Sequence, residues 1–286
     1  MRNNEDRLGM NGADGEAPPQ TREAQSGASF SFSTPTEFVE LPSRGRYYPE
    51  KHPLHGKEEV EIRHMTAKDE DILTSETLIK KGIAVDRLLQ NVLVDKGIAA
   101  ADMLVGDKNA LVVATRITGY GPEYNTQLNC PSCFKTVAYS FDLDLGKLYG
   151  ATEEDIREHE MTMVSPGVFE MEVPISKAMV GVRLMTGRDE DYLIKLSESK
   201  KKQKLPEAPL TDQLRRMIVS VNGDSSNEVI NDFVNHMPAR DSRYLRAKYY
   251  KVVPDIDLAQ EFECASCGHA QELEVPFTVD FFWPRQ

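Results

Sequence analysis

Cysteine, tryptophan and histidine are scarce in this sequence, with four, one and six copies in 286 residues. Four cysteines are too few for a disulfide scaffold in a chain this long. Basic residues are also in deficit, 34 against 46 acidic, for a formal net charge of −12. That balance opposes a broad electrostatic grip on nucleic acid or anionic lipid, both of which need excess Lys and Arg. No apolar run approaches the roughly 18 residues of a membrane-spanning helix. The opening MRNNEDRLGMNGADGEAPPQ carries charges and glycines where a signal peptide has its apolar stretch, so a cytoplasmic protein is expected. Catalytic signatures are missing too: no Gly-x-x-x-x-Gly-Lys, no Gly-x-Ser-x-Gly and no His-Glu-x-x-His, while His64 and His236 have no adjacent ligand set. No catalytic residue is expected, and the chain does not read as an enzyme.

What is present is enough apolar residue, 40% of the chain, to bury a core. Residues 1–35 are rich in Gly, Ser, Asn, Glu and Gln and read as a disordered tail. Val60, Ile62 and His64 alternate with charges as in a strand. Thr66 followed by Asp69 is the pattern of a capped helix start, and this explains the acidic Asp69, Glu70 and Asp71 without chemistry. A second helix carries Leu88, Leu89, Val92 and Leu93 on one face. Asp107 is placed to cap a third, with Leu111, Val112 and Ile117 on its buried side.

The second half repeats the first. Val60–Asp71, VEIRHMTAKDED, recurs as Val180–Asp191, VGVRLMTGRDED. Asp86 and Leu88 match Asp212 and Leu214, and Asp107 precedes Cys130 by the same interval that separates Asp241 from Cys264. The expected fold class is therefore α+β with a tandem internal duplication. Each copy is a short strand, helices and a β-hairpin zinc knuckle, packed with pseudo-twofold symmetry. Repeat 1 spans 36–148 and repeat 2 spans 149–286. The second copy is longer where SESKKKQKLPEAPL and NGDSSNE read as loops, with the lysines Lys200, Lys201, Lys202 and Lys204 as a solvated run.

Each repeat ends in Cys-x-x-Cys, Cys130-Pro131-Ser132-Cys133 and Cys264-Ala265-Ser266-Cys267, followed by alternation at Val137, Tyr139, Phe141 and Leu143 and at Leu273, Val275 and Phe277. Two intervening residues let both thiolates face one ion, and zinc takes four tetrahedrally with no open position, so the metal would fold rather than catalyse. The long stretch between the knuckles departs from a compact ribbon, and a twofold arrangement would bring them together on one structural Zn²⁺ per chain. A relic site without metal and a redox dithiol are the alternatives. Gly268 suits the turn after the second ligand and Phe134, at the matching place, does not. His269 reads as a loop residue, not a ligand.

With these residues in view the chain resembles the T4-type baseplate hub family of tailed phages. The resemblance rests on Leu41-Pro42-Ser43-Arg44-Gly45-Arg46-Tyr47-Tyr48-Pro49, on Met65–Ser75 and on Gly82–Leu89, and is best over about residues 38–145. It implies a non-catalytic component of a contractile-tail baseplate, at or near the hub. The implied partners are other baseplate hub and tail proteins, the tail tube or the tape measure, with no membrane. It implies assembly in the host cytoplasm and a place in the virion tail baseplate if the protein is retained. A hub or tape-measure assembly chaperone that leaves before maturity is the alternative. From another class, a zinc-ribbon nucleic-acid adaptor is opposed by the acid balance. Leu41, Pro42, Arg44, Tyr47 and Tyr48, with the C-terminal Phe281, Phe282 and Trp283, are the expected exposed docking residues, since aromatic and Arg anchors dominate interfaces.

Overall fold

Antiparallel ribbons, each followed at once by a capped helix, open both halves of the chain, which the computed structural model describes over residues 33–277 and 281–282. The first half runs β1 (Thr36–Glu40), β2 (Glu59–Arg63), α1 (Ala67–Thr74), α2 (Glu76–Lys80), α3 (Ala84–Val92), α4 (Val105–Tyr120), β3 (Glu123–Asn129) and β4 (Thr136–Asp142). Then come β5 (Lys147–Tyr149), α5 (Glu153–Glu158), β6 (Thr162–Ser165), β7 (Val168–Glu172), β8 (Met179–Arg183), α6 (Gly187–Lys202), α7 (Pro209–Met217) and β9 (Ile218–Val221). The chain continues through α8 (Asn227–His236), α9 (Ala239–Val252), β10 (Asp255–Asp257), β11 (Gln260–Glu263) and β12 (Ala270–Leu273). It is a mixed α+β fold with small sheets. Among the described residues four are two-stranded, β1-β2, β3-β4, β5-β10 and β11-β12, and one is four-stranded in the order β6-β7-β8-β9.

The helix starts follow the sequence. Thr66 and Thr186 are N-caps of α1 and α6, each in a capping box with the Asp three residues on. Those aspartates do more than cap. Asp69 is fully buried and accepts a bidentate pair from Arg63 at 2.7 and 2.9 Å, and Asp189 accepts the same pair from Arg183 at 2.8 and 2.6 Å. Each is also held from the next helix, Asp69 by Asn91 Nδ2 at 2.5 Å and Asp189 by Arg216 Nε at 2.6 Å. Burial pushes both carboxyls up, but the donors outweigh it. Asp69 ends far below the ordinary carboxylate range and Asp189 at about 2.

Further correspondences run along both halves. The His64 amide donates to the Pro35 carbonyl at 2.8 Å, and the Leu184 amide to the Gly167 carbonyl at 2.8 Å. Ile62 bridges to Leu93 just past α3, and Val182 pairs with Ile218 just past α7. Asp107 accepts the Ser43 amide at 2.9 Å, and Asp241 accepts the Ile175 amide at 2.7 Å.

One hydrophobic core is continuous from Leu41 and Ile62 through Leu111 and Phe141 to Phe169, Val182, Leu214 and Leu245, and residues 34–286 form one unit. Several contacts knit early to late sequence. Val105 N–H donates to Met185 O and Gly187 N–H to Met103 O, both at 3.0 Å. Lys108 on α4 is ion-paired with Asp86 at 2.7 Å and with Glu190 on α6 at 3.4 Å. At Gly106 the first turn of α4 lies so close to the strand entering β10 that a Cβ would stand 1.8 Å from the Pro254 carbonyl oxygen.

Several expectations give way. Asp107 is not the cap of α4, whose N-cap is Leu104. It sits one turn inside, fully buried, bound by Ser43 N and Oγ and by Tyr48 OH at 2.6 Å. Burial pushes its carboxyl up, and these donors offset that only in part. The stretch SESKKK is not a loop but the end of α6, where Lys200, Lys201 and Lys202 complement the negative end of the helix dipole and Lys200 bonds Asp212 at 2.5 Å. Strand β12 stops at Leu273, short of Val275 and Phe277.

The docking residues are not exposed as expected. Leu41, Pro42, Tyr47 and Tyr48 are buried, leaving Arg44 in solvent. Tyr48 OH takes the Leu104 amide and gives to Asp107, and Tyr47 OH bonds Ala151 O at 3.0 Å, so both tyrosines serve the interior. Phe281 and Phe282 are likewise buried, and the Phe281 carbonyl is bound at 2.8 Å by the interior guanidinium of Arg116. Trp283 and residues 1–32 of the expected tail lie outside the described residues.

Candidate metal centre

Each Cys-x-x-Cys closes a β-hairpin. β3 and β4 pair from Glu123↔Asp142 to Asn129↔Thr136, with Cys130 to Cys133 in the turn. β11 and β12 pair from Gln260↔Leu273 to Glu263↔Ala270, with Cys264 to Cys267 in the turn. The turns share two backbone bonds. Phe134 N–H donates to Cys130 O at 2.9 Å and Gly268 N–H to Cys264 O at 2.8 Å, while the Cys130 and Cys264 amides reach the Lys135 and His269 carbonyls at 3.0 and 2.9 Å. Both turns need a left-handed residue after the second cysteine. Gly268 supplies it at φ 69° without strain, and Phe134 adopts φ 59° with its ring 82% exposed.

The two hairpins lie against each other. Tyr139 OH donates to Glu261 O at 2.7 Å, and its ring meets Phe262 edge-on at 5.3 Å. The Gln260 side chain accepts the Asp142 amide and donates to its carbonyl, at 3.1 and 2.7 Å. The consequence is at the tips: the four cysteine Sγ atoms all lie within 4.8 Å of one another. Across the hairpins Cys130 Sγ is 3.7 Å from Cys267 Sγ, and Cys133 Sγ is 3.8 Å from Cys264 Sγ. Sulfur–metal bonds of about 2.3 Å put the edges of a tetrahedron at about 3.8 Å, so these separations suit four thiolates around one ion. They are far from the roughly 2 Å of a disulfide, and all four cysteines are free.

The electrostatics carry the same message. Backbone amides of Cys133 and Ser132 turned towards Cys130 hold its thiol down to about 6. At Cys267 the His269 amide favours the thiolate, but desolvation and the three neighbouring sulfurs outweigh it and push the thiol up to about 11. Four thiolates this close would repel one another, and a divalent cation would supply the compensating charge. Cys130 and Cys264 are buried with Phe262 beneath them, Cys133 is half-buried and Cys267 faces solvent. His269 points to Gln271 at 3.4 Å and stands outside the sulfur cluster.

Sequence reasoning singled out the four cysteines and missed what braces the fold around them. Arg63 and Arg183 occupy the same place in the recurring motif, and that recurrence was a usable signal for their ion pairs. Arg116 gave none: its guanidinium is satisfied by the carbonyls of Phe281, Gly121 and Glu123 and by no carboxylate in its own sequence neighbourhood.

Fold and site first define a class, a mixed α+β protein in which distant hairpins converge on a four-cysteine cluster. The chain belongs to the family described as T4 bacteriophage base plate protein, whose profile matches residues 36–283. Membership gives it a structural place in a phage base plate, in the company of other base plate or tail proteins. Searches of curated proteins and of solved structures found no match. No helix among the described residues is long and apolar enough to cross a membrane.

Proposed function

We propose that the protein is a non-catalytic structural component of the hub region of a contractile-tail baseplate, held in shape by one structural Zn²⁺. Cys130, Cys133, Cys264 and Cys267 are its ligands. The observation that carries this reading is the convergence of two knuckles, remote in sequence, at sulfur separations that suit a tetrahedral ion, in a chain of the base plate family. With four thiolates the coordination is closed, so the ion ties hairpins together and leaves no position for substrate or activated water.

The proposal includes an internal duplication, repeat 1 over 36–148 and repeat 2 over 149–286, related by a pseudo-twofold axis near the cysteines. It is supported by the paired Arg63–Asp69 and Arg183–Asp189 forks, by the matching knuckle turns and by the recurring sequence. In this arrangement the metal joins the repeats at their equivalent ends. The partners are other hub and tail proteins, and the place is the virion tail.

The test is metal content by plasma mass spectrometry on protein purified without chelator, with melting curves before and after stripping. One zinc per chain and a large fall in melting temperature are expected. No metal and an unchanged melt would overturn the zinc reading, and two zincs would overturn the shared site. The hub location is tested separately by mass spectrometry of purified tails, where absence of the chain from the baseplate fraction would refute it.

A further inference from the structure

The four sulfurs of the cluster differ in access and in neighbours. Cys130 and Cys264 are buried, Cys133 is half-buried, and Cys267 is exposed. Two sulfur pairs stand within hydrogen-bond reach, and both are crossed between the hairpins: Cys130 with Cys267 at 3.7 Å and Cys133 with Cys264 at 3.8 Å. Each buried cysteine therefore faces the more accessible cysteine of the other knuckle, and the pair that includes Cys267 opens furthest to solvent.

The hairpins are also braced without the sulfurs. Tyr139 OH holds Glu261 O, the Gln260 side chain holds both the amide and the carbonyl of Asp142, and the Tyr139 ring packs on Phe262. None of these contacts uses a cysteine, so crossed partners stay close if an ion departs. Around an ion all four sulfurs are thiolates, and access then decides which of them an outside reagent meets first. Access favours Cys267.

We propose that Cys267 is a modification site for hydroperoxides, and that its oxidation exchanges the ion for a disulfide to Cys130 that still joins the two hairpins. The Cys267 thiolate attacks one peroxide oxygen; an S–O bond forms, the O–O bond breaks, and the departing hydroxide takes a proton to leave as water. The Cys130 thiolate then attacks the sulfenic sulfur; an S–S bond forms, the S–O bond breaks, and the second oxygen leaves as hydroxide and is protonated to water. One peroxide thus gains two electrons and two thiolates lose them. With half of its ligands gone, the ion is released. A bridge within one knuckle would close only two intervening residues, whereas the crossed bridge links positions 137 apart in the chain and so constrains the unfolded state far more. The inference builds on the four-cysteine site proposed above, yet it depends on where the sulfurs stand and not on which ion they hold.

The test uses the full chain, both as purified without chelator and after metal stripping. A brief pulse of N-ethylmaleimide on the metal-loaded protein, followed by peptide mass mapping, should mark Cys267 ahead of the other three. Hydrogen peroxide added in equal amount to protein and quenched with catalase should yield Cys130–Cys267 as the main bridge in unreduced peptide maps of both samples. Metal captured by a chromophoric chelator should rise in step with that bridge, and the oxidised, metal-free protein should melt above the stripped and reduced one. Bridges confined to Cys130–Cys133 or Cys264–Cys267 would overturn the proposal, as would first labelling at Cys133. Failure here is separable from failure of the zinc reading: local bridges in a protein that carries one zinc refute this inference alone, and crossed bridges in a protein that carries none refute the zinc alone.

Discussion

The two halves are alike where they face the interior and different where they face outward. Asp69 and Asp189 both receive an arginine fork and their own capping amide, yet the third donor is the neutral Asn91 in one half and the cation Arg216 in the other. The knuckle turns share two backbone bonds, but one has a glycine at the left-handed position and the other a phenylalanine. Among the described residues β7 is flanked by β6 and β8, and β1 pairs with β2 alone. Geometry buried between elements tolerates little change because each group there must find a partner. Outer residues answer to weaker constraints, and that is where the halves differ.

The comparison breaks most severely at the shared cysteines. Cys130→Ser and Cys264→Ser, one in each knuckle, should have equal effects if the four sulfurs form one site: zinc content near zero and a melting temperature lower by roughly 10 °C or more in both. Separate sites would leave one variant with metal, which the same mass-spectrometric assay would reveal.

Next in size are the buried forks. Asp69→Ala leaves Arg63 without its carboxylate and should cost about 3–4 kcal/mol in urea unfolding. Asp189→Ala strands two guanidinium groups and should cost more, though only by about 0.5 kcal/mol, because Arg216 is 41% exposed and partly screened. Equal costs would show that Asn91 and Arg216 are interchangeable donors. The same pair sets a pH signature. Both carboxyls lie below their unfolded value of about 4, so their stabilisation is full above that pH and is lost as pH falls, through about 2 for Asp189. Urea midpoints of the wild type should drop between pH 4 and pH 2, and each alanine variant should show a shallower drop.

The smallest effect sharpens the contrast between the knuckles. Phe134→Gly relieves a left-handed non-glycine residue at an exposed tip and should stabilise the protein by about 1 kcal/mol, while Gly268→Phe should destabilise it by a similar amount. Opposite signs in thermal melts, with zinc retained in both, are the expected outcome.

Much of the site was legible because its signals are local. A Cys-x-x-Cys pair, a Thr with an Asp three residues on and alternating strands declare themselves within a few residues, and recurrence of the same words in the second half pointed to their equivalence. The misreadings share a cause. Asp107 has the local look of a cap, and only contacts with Ser43 and Tyr48, far back in the chain, make it an interior acceptor. Tyr47 and Tyr48 sit among polar and proline residues that suggest a surface, and their hydroxyls are satisfied by partners distant in sequence. Lys201 and Lys202 look solvated and are, while Lys200 is half-buried against Asp212, and a largely solvated face is compatible with the end of a helix as well as with a loop. β6 escaped notice because all four of its residues are exposed, so no alternation marks it.

The sulfur cluster also orders events in time. Cys130 and Cys133 leave the ribosome well before Cys264 and Cys267, and at about 5–20 residues per second the delay is on the order of ten to twenty seconds. During that interval the nascent chain holds two thiols that can bind an ion only loosely. A prematurely terminated product never acquires the other two. In the proposed zinc site, coordination would thus report that translation has reached the last hairpin, and an unfinished chain would be left with only half of the four-cysteine set.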